Sequence, residues 1–175
     1  MAPYARAMRF RLHRLLLRIF GWFPPRARRL IVRVASPSYT AGGICVIERP
    51  DGKILLVQQA YRSRWGLPGG LLRKGEEASD GARREVLEEV NLRVDLVGEP
   101  AVVVDAERQR IDLIFRAQPS HLSDVPEVRP SSPEIVRCEW FAKDALPELQ
   151  FETANALVAL ARSSRSPQAV SLLDL

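Results

Sequence analysis

The chain has 175 residues, of which 46% are hydrophobic and 27% charged, with a net charge of +5. That length fits one domain of ordinary size plus an extension, and that balance excludes an intrinsically disordered chain. Two cysteines and two histidines exclude a disulfide framework, a cysteine zinc site and a histidine-based metal site.

The positive charge is concentrated at one end. Residues 1–33 carry nine arginines and no acid, and the remainder is acidic by count. Residues 8–23 read as an amphipathic helix. Met8, Leu12, Leu15, Leu16, Ile19 and Phe23 form an apolar stripe about 100° wide, with Arg9, Arg11, Arg14 and Arg18 outside it. Pro24 and Pro25 stop the helix. A second basic stretch, 26–33, leads to a linker at Ser36-Pro37-Ser38. The stripe needs a cover: the chain's own core, a second copy in a homodimer, or an anionic membrane surface or other polyanion met through residues 1–34. No apolar run reaches membrane-spanning length, and Arg18 interrupts Leu15-Leu16-Leu17, which argues against a secretory segment. A cytoplasmic location is expected, peripheral at a membrane if the third cover is the right one. The expected division is 1–36 as a basic extension, 37–163 as the main domain and 164–175 as a frayed tail.

The core begins near Thr40. Runs 41–48 and 53–59 are apolar and β-branched around an Asp51-Gly52 turn, which reads as a hairpin. Arg62, Arg64 and Trp65 occupy the following loop. A helix is expected over about residues 80–90, with Ser79 as N-cap and Asp80 in its first turn. Ala82, Val86, Leu87 and Val90 would form its apolar face, turned away from Glu85, Glu88 and Glu89. Those three glutamates stand at i, i+3 and i+4, within an arc of about 100°. Like charges that close repel, and the simplest reason to gather them is a hard divalent cation. The other reading is a solvated acidic face. Asn91 stands where the helix ends and suits a left-handed conformation there. Strands are expected at 92–98, 100–105, 110–117 and 134–141, a proline-rich loop at 119–132, and a closing helix at 152–161. Cys45 and Cys138 read as small buried side chains and His13 and His121 as surface residues. Strands mixed with two packing helices suggest a sheet sandwiched between helices, an α/β (α+β) fold.

The spacing around the glutamates resembles the box of the Nudix family. The matching positions are Gly70, Glu76, Arg84, Glu85, Val86, Glu88, Glu89 and Leu92, with Asn91 replacing the family's last glycine. The lead-in Trp65-Gly66-Leu67-Pro68-Gly69-Gly70 is also similar to the family's. The resemblance implies an α/β/α sandwich with a mixed sheet, and Mg²⁺-dependent hydrolysis of a diphosphate in a nucleoside diphosphate linked to another group, with Mn²⁺ as a substitute. It implies Glu85, Glu88, Glu89 and the Gly69 carbonyl as metal ligands, with Glu85 alternatively the general base. Arg84 and Glu76 would pair and orient Glu85. Arg62 and Arg64 would grip phosphate or a base, and Trp65 would stack on a base or pack under its loop. Asp105, Glu107 and Asp112 are candidates for a further acid beyond the box. Residues 107–110 hold neither the proline nor the tyrosine that mark two nucleotide subgroups. The alternatives are a non-catalytic sensing or interaction module and an RNA 5′-end pyrophosphohydrolase that uses the basic arm.

Overall fold

The structure is a computed structural model and describes residues 14–163. The start of the helix expected at 8–23, with Met8, Arg9, Arg11, Leu12 and His13, and the tail expected at 164–175 lie outside the described residues. The chain divides into two compact units, Met1–Ser38 and Tyr39–Leu175.

In the first unit, residues 14–22 are helical (α1) and a second helix, α2, spans Pro25–Ala35. The second helix was not expected over 26–33. Pro25 at its first position lacks only an N–H that no helix start could use, and it presets the helical φ. None of the eleven residues of α2 is buried.

Among its described residues the second unit holds two sheets, two α-helices and a short 3₁₀ helix. The strands are β1 (Thr40–Ile47), β2 (Ile54–Gln59), β3 (Gly69–Leu71), β4 (Val94–Asp105), β5 (Arg110–Pro119) and β6 (Ile135–Phe141). The helices are α3 (Ala78–Val90) and α4 (Phe151–Ser163). One sheet runs β3-β1-β5-β4 and the other pairs β2 with β6. β1 and β5 are parallel over eight residue pairs from Thr40↔Arg110 to Ile47↔Ala117, and the remaining pairs are antiparallel, so the larger sheet is mixed.

This arrangement corrects the expected hairpin. Asp51-Gly52 does form a tight turn, closed by Gly52 N–H donating to the Arg49 carbonyl at 2.9 Å. Past a single bridge at Glu48↔Ile54, however, the strands part. β5 and β3 take both edges of β1, while β6 takes β2. Strands expected separately at 92–98 and 100–105 are one bulged strand, β4. Its register slips between Val97 and Ala101, across Gly98-Glu99-Pro100, where a proline cannot donate to the ladder. A short 3₁₀ helix, Leu122–Glu127, lies within the expected loop.

Alternation along the strands builds two cores on opposite faces. Cys45, Ile47, Leu55, Val57, Phe115 and Ala117 join Ala82, Val86 and Val90 of α3. Val46, Ile54, Leu56 and Ile114 join Ala156 and Leu160 of α4. The result is a sheet layer between helices. Cys45 is fully buried, and burial pushes its thiol up to about 12; Cys138 is half-buried.

Two details of α3 differ from expectation. The N-cap is Glu77, which makes no side-chain cap bond, and Ser79 is already helical. Leu87 is 41% exposed, because the core face follows Ala82, Val86 and Val90 at i, i+4 and i+8, and Leu87 lies about 100° beyond Val86.

Candidate active site

α3 carries the acids and its end is fixed by local chemistry. Asn91 adopts φ 54°, ψ 41°, and its N–H donates to the Leu87 carbonyl at 3.1 Å. This left-handed turn releases the chain so that Leu92, fully buried, enters the core. Two further carbonyls at that end are satisfied from outside. Arg129 N–H donates to Val90 and Ser131 N–H to the Glu89 carbonyl, at 3.3 and 2.8 Å.

The three glutamates share a helix face but not an environment. Glu89 is only 6% exposed and accepts the Gly69 N–H at 2.9 Å. It is not turned away from the apolar face but buried along its edge. Burial, opposed by the Gly69 hydrogen bond and reinforced by Glu85, Glu134 and Glu88, pushes its carboxyl up to about 8. Glu85 is largely covered and accepts from Arg84 Nη1 at 2.6 Å. Glu88 is half exposed, held by Arg73 at 3.0 Å and Arg84 at 3.1 Å, and lies outside the cleft lining.

Arg84 is the hub. Its Nε and Nη2 meet both oxygens of Glu76 at 2.7 and 2.9 Å, a bidentate pair. Its Nη1 reaches Glu85 and Glu88, and its Nη2 the Leu71 carbonyl at 3.3 Å. Hydrogen bonds from Arg84 and from the Arg73 N–H hold Glu76 at about 2, so it stays ionised. The guanidinium of Arg84 is raised in turn, chiefly by its bonds to Glu76. The pair thus clamps the start of the box onto α3 and fixes the position of Glu85.

Two glycines make room for these acids. A Cβ on Gly70 would stand 2.6–2.8 Å from the Glu85 carboxylate. A Cβ on Gly69, where φ is +145°, would meet the Gly43 carbonyl oxygen at 2.4 Å. Glycine at both positions lets β3 lie against β1 with its backbone beside the carboxylates.

Gly69, Gly70, Glu85 and Glu89 line a cleft of about 790 Å³, within the usual range for small-molecule sites. All three downstream candidates also line it. Asp105 accepts the Arg108 N–H and guanidinium at 2.9 and 2.7 Å, which lowers its carboxyl, the backbone bond most. Asp112 accepts Arg110 Nε at 2.8 and 2.9 Å. Glu107 stands in the turn between β4 and β5. The structure adds Glu134, which lines the same cleft and is close enough to Glu89 to raise its carboxyl. From sequence, Glu134 is expected only as the first residue of the strand at 134–141. Its one sequence signal is an acid directly after Ser131-Ser132-Pro133. It reaches the site because the 129–131 segment is bonded to the end of α3 and Ala60 N–H holds the Glu134 carbonyl at 2.8 Å.

The loop residues separate. Arg62 lines the cleft, donating to Gln150 at 3.2 Å and Glu152 at 3.4 Å. Arg64 does not line it and pairs with Glu148 at 2.6 Å. Trp65 is 9% exposed and packs edge-on against Phe141, ring centroids 4.9 Å apart, under the Arg137 guanidinium. It is a core residue and offers no face to a ligand. The exposed aromatics of the cleft are Tyr61 and Phe151, at 66% and 65%.

Among the described residues, no three His, Cys, Asp or Glu side chains are gathered into a ready metal cage. The donors nevertheless fit a hard cation. Glu89 is a nearly buried carboxylate whose charge burial disfavours, and Glu85 and Glu134 add negative charge around it. A divalent cation would reverse that local sign. Mg²⁺ needs few carboxylates, because water and substrate phosphates complete its shell.

The NUDIX domain family pattern matches residues 39–160. A MutT-like protein from Streptomyces ambofaciens is 31% identical over 118 residues, covering 67% of this chain and 73% of that protein. The oxidized purine nucleoside triphosphate hydrolase of Mus musculus is 35% identical over 88 residues, covering 48% of this chain and 53% of the mouse enzyme. A crystal structure of a NUDIX hydrolase from Nitrosomonas europaea superposes with a TM-score of 0.63 at 26% identity, covering 75% of this chain and 76% of that one.

Proposed function

The chain belongs to the Nudix hydrolase family, enzymes of phosphoanhydride bonds, and from that premise we propose that its cleft hydrolyses a diphosphate in a nucleoside diphosphate joined to a further group. The observation that carries the reading is Glu89, a nearly buried carboxylate beside Glu85 and Glu134 in one cleft. Glu85, Glu89 and Glu134 would hold Mg²⁺, or Mn²⁺ in its place, with the backbone of Gly69 alongside. When bound, the cation supplies Lewis acidity toward phosphorus and lowers the pKa of a ligated water.

The protein's own groups do the rest. Arg84 and Glu76 keep Glu85 in one orientation, either as a ligand or as the base that receives a proton from the attacking water. Arg62, Arg108 and Arg110 line the cleft and offer positive charge to the phosphates that the acids would otherwise repel. Tyr61 and Phe151 give exposed aromatic faces for a nucleobase.

The mouse relative's name makes an oxidised purine nucleoside triphosphate the first substrate to try. The test is turnover of a panel containing that compound, ordinary nucleoside triphosphates, nucleotide sugars, dinucleoside polyphosphates and 5′-triphosphorylated RNA, each with Mg²⁺ and with Mn²⁺. Metal-dependent scission of a phosphoanhydride in at least one soluble nucleotide is expected. Tight binding without scission across the panel would replace this reading with a ligand sensor. Scission confined to RNA would move the function to RNA 5′ ends.

A further inference from the structure

The arm carries a chemistry that the cleft does not use. On α2, at about 100° per residue, Leu30, Ile31, Val34 and Ala27 fall in an arc of about 100°. Arg26 and Arg33 flank that arc on one side and Arg28 on the other. On α1, Leu15, Leu16, Ile19 and Phe20 form a corresponding arc that continues to Phe23, with Arg14 and Arg18 outside it. Apart from Phe20 and Ala27, which are half-buried, these apolar side chains are open. Leu15 is 53% exposed, Leu16 54%, Trp22 93%, Leu30 62% and Val34 79%. No acidic residue precedes Glu48 to neutralise the arginines.

We propose that residues 14–35 are a docking surface for an anionic lipid bilayer, such as a cytoplasmic leaflet, on which both helices lie flat. Two requirements select this occupant. The arginines need negative charge, and the leucine, isoleucine and aromatic side chains need hydrocarbon. A nucleic acid backbone supplies only the first. A second copy of the arm supplies only the second, and a symmetric pairing would bring two acid-free arginine faces together. An anionic bilayer supplies both, with apolar arcs in the acyl boundary, arginines at the phosphates and Trp22 at the interface. Among the described residues, neither helix is long and apolar enough to cross a membrane, and the contact proposed is peripheral.

The experiment uses the full chain with vesicles of phosphatidylcholine alone and of phosphatidylcholine mixed with phosphatidylglycerol. Co-sedimentation is expected with the anionic vesicles only, and it should fall as salt rises. Replacing Arg26 and Arg33 together by Gln should weaken binding by about 25-fold, roughly fivefold per charge. A Leu30→Gln, Ile31→Gln variant should lose vesicle binding while still binding heparin, a polyanion without hydrocarbon. Unchanged thermal unfolding of the second unit, with unchanged helix content by far-UV circular dichroism, shows that each variant remains folded. The proposal is overturned if the full chain ignores anionic vesicles at low salt. It is overturned equally if the Leu30→Gln, Ile31→Gln variant binds them as the unaltered chain does. A dimer in light scattering that this variant dissociates, without vesicle binding by the parent, would assign the stripe to a second copy and also refute it.

Discussion

Glu89→Gln should raise the stability of the metal-free protein while removing its turnover. Glu89 is 6% exposed, and burial is the first cause that carries its carboxyl from an ordinary value near 4.5 to about 8. Between those values the folded protein keeps a proton that the unfolded chain has lost. Folding then takes up a proton, so stability falls as pH rises from 4.5 to about 8 and is flat above it. Each decade of that window is worth about 1.4 kcal/mol, so ionising Glu89 costs the metal-free fold at most roughly 5 kcal/mol. Gln has nearly the same shape and can still accept the Gly69 N–H through its amide oxygen. It carries no charge to bury, but its NH₂ must find acceptors, which reduces the gain to about 1–3 kcal/mol above pH 8. The assay is urea unfolding across the pH window in chelator, paired with Mg²⁺-dependent nucleotide hydrolysis. The variant should show a flatter pH dependence and lose about 10²-fold or more in kcat. Mg²⁺ should stabilise the unaltered protein increasingly as pH rises and the cation displaces the proton, and should do so far less in the variant. Equal pH slopes for both proteins would refute the burial argument. Full turnover of the variant at saturating Mg²⁺ would refute the ligand assignment.

The remaining predictions are more local. Gly70→Ala places a Cβ against the Glu85 carboxylate, a movable group, so kcat should fall at least tenfold with little change in melting temperature; an unaltered kcat would show that Glu85 can work from elsewhere. Arg84→Lys removes the fork that holds both oxygens of Glu76, and it should lower kcat more than it changes KM, because Glu85 loses its orientation. Kinetics that change only KM would place Arg84 in substrate binding. Asn91→Gly should leave stability unchanged or slightly raised, whereas Asn91→Val should cost about 1 kcal/mol or more at φ 54°. Equal melting temperatures of the two Asn91 variants would contradict the left-handed end.

Much of the site was legible in sequence because it is local. Gly70, Glu76 and Arg84 to Glu89 lie in one short stretch, where helical spacing and turn chemistry decide which side chains can meet. The resemblance therefore named the Glu76–Arg84 pair from the sequence and put Asn91 at the family's last glycine, where residue preference suits it to the helix end. What tertiary structure decided is which of these acids loses water. Periodicity gives Glu88 and Glu89 equal standing on one face, yet Glu89 is buried against Gly69 and Glu88 is drawn off by Arg73 and Arg84. Glu134 stands 45 positions beyond Glu89 and enters the site only through the bonds of the 129–131 segment to the end of α3. Trp65 had the same sequence context as Arg62 and went to the core, because Phe141, from β6, supplies its packing partner. The 41–48 and 53–59 runs carried every sign of a hairpin, but strand partners are chosen among all edges that folding brings together. β5, distant in the chain, offered β1 eight parallel pairs that its neighbour could not match. Spacing fixes which groups can share a face; desolvation and strand choice depend on residues far away in the chain.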